Sequence, residues 1–166
     1  MLKRANLLLP LFLLILLACN NDDQSSQQVN LLFTEDNLVG DWKRIAEFKG
    51  QPNDSMGILE PTEDLFAQFE YCRKDDMIRY VKAPEQEENI FFWGIGETAC
   101  HSQIANSFSE IGTWSIEESG NHSYSDVNEP FIVIKLRALE LLIRNESGTK
   151  APDGTVYEFT EYERVK

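Results

Sequence analysis

The residues best placed to do chemistry in this chain are two histidines, three cysteines and one acidic pair. His101 directly follows Cys100, and His122 closes the stretch Ser119-Gly120-Asn121-His122, so both fall in Ser/Asn-rich turns where solvent exposure is expected. They supply no repeated ligand spacing, so a zinc centre shared with Cys72 and Cys100 is not expected, and neither is any other metal or cofactor. Cys72 and Cys100 stand in no CxxC pair, which argues against a redox-active dithiol. Asp75-Asp76 offers two carboxylates where a calcium ion takes about six to eight oxygens, so a hydrated or hairpin-capping role is expected instead. Gly94-Ile95-Gly96 lacks the third glycine and the following helix that phosphate cradling needs, and reads as a strand end. With no nucleophile–base pair, metal cluster or converging carboxylates legible, catalysis is not expected.

The cysteine count is odd, and the first cysteine explains it. Lys3 and Arg4 precede an apolar run from Leu7 to Ala18, the charged-then-apolar order of a secretory signal. The run contains Pro10 and falls short of the about 20 residues that a bilayer-spanning helix needs. Leu16-Leu17-Ala18-Cys19 resembles a bacterial lipobox, which implies acylation of Cys19 and removal of residues 1–18; an ordinary signal peptide with an incidental cysteine is the alternative. If Cys19 carries lipid, Cys72 and Cys100 remain as an even pair in an oxidising compartment, where a disulfide persists. Residues 19–36 then form an acidic, mostly polar tether. Asp22 and Asp23 resemble the acidic tract that directs some Gram-negative lipoproteins to the cell surface, the plainer reading being a solvated linker.

Charge narrows the partners. The formal net charge is −13, and it becomes more negative once Lys3 and Arg4 are removed. Phosphate backbones and anionic lipid surfaces repel such a protein, so nucleic acid is excluded as a partner. Acyl chains can still hold it to a membrane, since each buried methylene contributes about 0.8 kcal/mol.

The elements that must position these residues are strands. The folded domain is expected over 37–166, opening with alternation that puts Leu38, Gly40, Trp42, Ala46 and Phe48 on one face and Asp41, Lys43 and Glu47 on the other. Arg44 interrupts the apolar face and Ile45 the polar one. After a loop with a helical turn near Pro61 to Phe66, strand-like runs follow at Met77 to Lys82, Ile90 to Ile95, Thr113 to Glu118, Ser123 to Val127, Phe131 to Leu136, Leu139 to Arg144 and Thr155 to Arg164. The stretch 131–144 is apolar enough for a buried helix. Its Ile/Val-rich first half and missing helix cap favour two strands bent at Arg137-Ala138. Glu85-Gln86-Glu87-Glu88 reads as a solvated loop, Asp54-Ser55-Met56 matches a short bacterial O-glycosylation pattern, and Phe92, between Phe91 and Trp93, is expected to face outward as an exposed contact spot.

Four motifs in order carry a family resemblance: Leu38-Val39-Gly40-Asp41-Trp42-Lys43, Tyr71-Cys72-Arg73-Lys74-Asp75-Asp76, Gly96-Glu97-Thr98-Ala99-Cys100 and Gly112-Thr113-Trp114-Ser115. Together with the closing Tyr157-Glu158-Phe159-Thr160-Glu161-Tyr162, they resemble the lipocalin-like domains of bacterial lipoproteins. The resemblance implies an all-β, up-and-down antiparallel β-barrel of about eight strands with one disulfide. In it Gly40, Trp42, Gly112 and Trp114 help close the barrel, and Arg164 packs over Trp42. The resemblance implies no reaction and no particular ligand. Together with the lipobox it supports the expectation of a monomer on the outer membrane, at its periplasmic face or the cell surface, binding a small or apolar ligand, with an envelope-protein or glycan interaction module with a filled barrel as the alternative. The lipobox reading makes a direct prediction: Cys19→Ala yields an uncleaved or soluble product, checked by membrane fractionation, and unchanged membrane partitioning refutes it.

Overall fold

The structure, a computed structural model, describes residues 30–52, 61–84, 87–125, 131–151 and 154–166. The signal segment, Cys19 and the tether as far as residue 29, Asp54-Ser55-Met56 and Glu85-Gln86 lie outside the described residues.

Alternation bounded by turn residues folds locally into strands. They are β1 (Gly40–Gly50), β2 (Glu63–Asp64), β3 (Met77–Val81), β4 (Ile90–Ile95), β5 (Ser107–Ile116), β6 (Asn121–Tyr124), β7 (Phe131–Leu136), β8 (Glu140–Asn145), β9 (Thr149–Ala151) and β10 (Gly154–Arg164). All pair antiparallel in the order β2-β1-β3-β4-β5-β6-β7-β8-β10-β9. A further pairing of β1 with β10, from Trp42–Arg164 to Gly50–Tyr157, closes eight of them into a ring. With β2 and β9 set aside, ring neighbours are sequence neighbours, which is the up-and-down order.

The ring departs from a strict barrel at one end, because its two longest strands outrun their partners. β1 pairs with β3 over Gly40–Lys43 and with β2 at Phe48 and Lys49, while β10 pairs with β8 over Phe159–Glu163 and with β9 over Gly154–Val156. The wall therefore forks beyond Arg44 on one side and before Phe159 on the other.

Phe131 to Asn145 forms two strands and not a helix: Arg137 N–H donates to Glu140 O at 2.8 Å to make the turn. β5 begins at Ser107, six residues before the run expected at Thr113. Its opening Ser-Phe-Ser-Glu carries little apolar alternation, because Ser109, Glu110 and Ile111 are exposed.

The end opposite the fork is plugged. Trp42 is fully buried and its Nε1–H donates to Leu38 O at 2.8 Å, fixing the ring under helix α1 (Glu35–Leu38). The Arg164 guanidinium lies 4.2 Å from the Trp42 ring centroid, with Nη1 donating to Val39 O at 2.7 Å and Nη2 to Asn37 O at 2.6 Å. Gly40 makes room for it: its φ is +133°, and a Cβ there would stand 2.9 Å from Arg164 Nη1. Upstream, Leu31 N–H donates to Leu136 O at 2.7 Å, and Leu31 and Phe33 pack on the core. Leu31 and Phe33, expected in the tether, thus pack with the folded unit.

Trp114 is the second buried tryptophan, its Nε1–H shared between Val81 O (3.2 Å) and Ile90 O (3.1 Å); Gly112 pairs opposite Phe91. Around both tryptophans the core gathers Leu38, Ile78, Tyr80, Val133, Leu136, Leu141 and Ile143. Cys72 and Cys100 are joined in a disulfide with Cα atoms 5.3 Å apart across 28 residues of sequence. In the chain-entropy account, closing a loop of that length stabilises by about 3 to 4 kcal/mol. Denaturant unfolding of Cys72→Ser/Cys100→Ser should show a loss of that order, and equal stability of the two proteins would exclude the bond as a major restraint.

Candidate functional site

A single irregularity in β1 builds the interior. The register with β10 slips between Arg44 and Ala46, leaving Ile45 as a bulged, exposed residue. A bulge inserts one residue on one strand, and because strand side chains alternate with period two, it turns every later residue to the opposite face. Trp42 and Arg44 point inward before the bulge; Glu47 points inward after it. Ala46 and Phe48, expected beside Trp42, lie instead in a separate cluster with Leu142 and Phe159. The Phe48 and Phe159 rings stack there at 5.4 Å. The paired breaks at Arg44 and Ile45 were the sequence trace of this bulge.

Glu158, Thr160 and Tyr162 alternate inward along β10, Ile143 and Asn145 along β8, and Phe91 and Trp93 along β4; Ile78, Ile111, Tyr124 and Phe131 add to the wall. They enclose a cavity of about 340 Å³ at the forked end, away from the Trp42 plug.

Arg44, only 3% exposed, is the charged centre of that cavity. Its Nη1 donates to Glu47 Oε2 at 3.2 Å and its Nη2 to Asp76 Oδ2 at 3.3 Å. Its guanidinium lies 4.9 Å from the Phe69 ring centroid and 5.0 Å from that of Trp93, within cation–π range. Its Nε–H is buried and finds no acceptor. Burial pushes the Glu47 and Asp76 carboxyls above their ordinary values, with Arg44 pulling the other way. Asp76 is thus buried and ion-paired, not hydrated as expected; Asp75 does cap a loop, its Oδ2 accepting from Thr98 N–H at 2.9 Å.

Neutral polar groups line the rest. Burial pushes the Tyr162 hydroxyl up to about 12, so it stays protonated. Tyr80 and Tyr124 share a hydroxyl–hydroxyl hydrogen bond at 2.5 Å, and burial pushes both well above the usual tyrosine range.

His122 overturns its expected exposure. It is 2% exposed, and neither ring nitrogen has a hydrogen-bond partner. Instead it sits edge-on to Tyr124 at 4.2 Å between ring centroids, with Tyr80 at 5.3 Å and Trp114 at 6.1 Å. The desolvation of a buried cation lowers its pKa to about 3. Phe92 likewise departs from expectation: it is half-buried opposite Arg79, not an exposed spot.

Of the residues singled out in the sequence, Gly40, Trp42 and Arg164 come together at the plug, while Gly112 and Trp114 sit on β5 farther round the ring. Glu70, Cys72 and Cys100 bring one donor atom each within 4.8 Å, yet the two sulfurs are bonded to each other and so do not act as thiolate ligands. Arg44 with Glu47, and the interior Tyr124 and Tyr162, were not recognised as cavity residues. The chain matches no family model and no curated protein.

The buried imidazole sets a pH dependence. Unfolded, it gains a proton near pH 6.5; folded, near 3. Between those values the unfolded chain binds more protons, so stability falls as pH drops through the window, by up to about 1.4 kcal/mol per unit. The stability difference between the native chain and His122→Leu, followed by urea unfolding from pH 7 to 4, should shift in favour of the variant as pH falls. A pH-independent difference would refute a neutral buried His122.

Proposed function

We propose that this protein is a non-enzymatic, lipid-anchored lipocalin-like carrier of the outer membrane that holds a small apolar molecule inside its ring of strands. The observation that carries the reading is the cavity of about 340 Å³ walled by Phe91, Trp93, Tyr124, Phe131 and Tyr162. Its volume falls within the about 300–1,000 Å³ of small-molecule sites, and a mostly apolar lining with a few polar groups is the composition such sites share. Rings of about eight strands are wide enough for one small ligand when side chains do not fill them.

The non-catalytic part rests on the lining. Arg44 and Glu47 are committed to each other, and His122 makes no hydrogen bond through which it would activate a nucleophile. The anchor rests on Leu16-Leu17-Ala18-Cys19, and the acidic tract after Cys19 favours the cell surface.

A second reading, docking on an envelope protein or glycan, draws on Tyr71 at 80% exposure and Ile104 at 75%, on the two segments that the disulfide joins. Native mass spectrometry of protein extracted from host membranes separates the two. The carrier reading expects a bound molecule that is released on denaturation. An empty cavity, with a cross-linked partner lost on Tyr71→Ala, would replace it with the docking reading.

A further inference from the structure

The polar end of the cavity specifies more than apolarity. Among the described residues lining it, Arg44 is the one cation, and two carboxylates already lie within 3.3 Å of its guanidinium. Glu158 adds another carboxylate at the rim, and Arg73 lies near enough to act on Glu47 from outside the lining. A ligand carboxylate entering here would be desolvated against Glu47 and Glu158, with no unpaired cation to receive it. An ammonium would meet the Arg44 charge and leave the Arg44 Nε–H still without an acceptor.

One kind of head satisfies both sides. Arg44 Nε–H is a buried donor with no partner, and an orphaned buried donor costs about 1–3 kcal/mol, more when charged. Glu47 spends one oxygen on Arg44, and a carboxylate has further acceptor sites. Thr160, Asn145 and the protonated Tyr162 hydroxyl surround this end with uncharged groups. The geometry points to a ligand class, resting on the carrier reading above: an apolar molecule ending in an uncharged hydroxyl, which donates to Glu47 and accepts from Arg44 Nε–H once a turn of the Arg44 side chain opens that sealed atom to the cavity, and neither a fatty acid nor an alkylammonium. The apolar body lies among Phe91, Trp93, Tyr124 and Phe131.

The test uses the full chain at pH 7 with N-phenyl-1-naphthylamine, an uncharged fluorophore that brightens in apolar surroundings. Competitors are decan-1-ol, decylamine and decanoate, three heads on one tail, each below the concentration at which it aggregates. Decan-1-ol should displace the fluorophore at about tenfold lower concentration than either charged analogue, the scale of one hydrogen-bonded group left unpaired. Decanoate or decylamine competing as well as decan-1-ol would overturn the hydroxyl assignment while leaving the carrier reading intact. Failure of the fluorophore to bind, with no heat of binding for decan-1-ol by calorimetry, would take down both. Glu47→Gln should improve competition by decanoate severalfold relative to decan-1-ol; unchanged relative competition would overturn the assignment of Glu47 to the head-binding end.

Discussion

Everything in this fold depends on the pairing of the first long strand with the last. Without the β1–β10 ladder the sheet would be open, with two long edges of unpaired backbone N–H and C=O groups. With it, Arg164 is carried over Trp42, the plug forms, and the interior becomes a closed space rather than a concave face. The same ladder contains the slip at Ile45. A register error of one residue would exchange Glu47 for Phe48 inside and abolish both the polar end of the cavity and the outer Phe48–Phe159 stack. Closure joins residue 42 to residue 164, so the contact that completes the interior spans most of the chain. Pairings of such sequence separation fold slowly, because chain entropy is lost before the contacts reward it.

The order of strands was legible because ring neighbours are chain neighbours: each alternating run could be paired with the next one, and the turns between them carry their own residue signature. The site was less legible, for reasons that differ residue by residue. Arg44 and Ile45 announced a parity break, but a break read along one strand does not say which face it serves. His122 was misassigned from its turn-like neighbours; its alternation with Ser123, Tyr124 and Ser125 is the better signal, since Ser123 and Ser125 are exposed while His122 and Tyr124 turn inward. Asp76 offered no local clue. Its burial is decided by a guanidinium 32 residues earlier in the chain, a contact made where β1 pairs with β3.

The interior is polar where a stability-maximising core would not be. A buried guanidinium with two carboxylates seldom outperforms apolar packing, because each ion gives up hydration to come inside. His122, neutral and without a hydrogen-bond partner, has a similar cost with even less return. Arg44 lies in the cavity and His122 behind its Tyr124 wall, while the plugged end, packed with Leu38, Trp42, Leu136 and Leu141, carries a further guanidinium, that of Arg164, whose buried Nε–H is also unpaired.

The plug also fixes a direction. The chain enters the fold beside Leu136, at the end sealed by Trp42, and the cavity lies toward the opposite end of the β7–β8 pair, where Phe131 is paired with Asn145. With the anchor proposed at Cys19, the sealed end is the one nearest the tether and the mouth is the end farthest from it, so the proposed ligand would enter from the side away from the anchor.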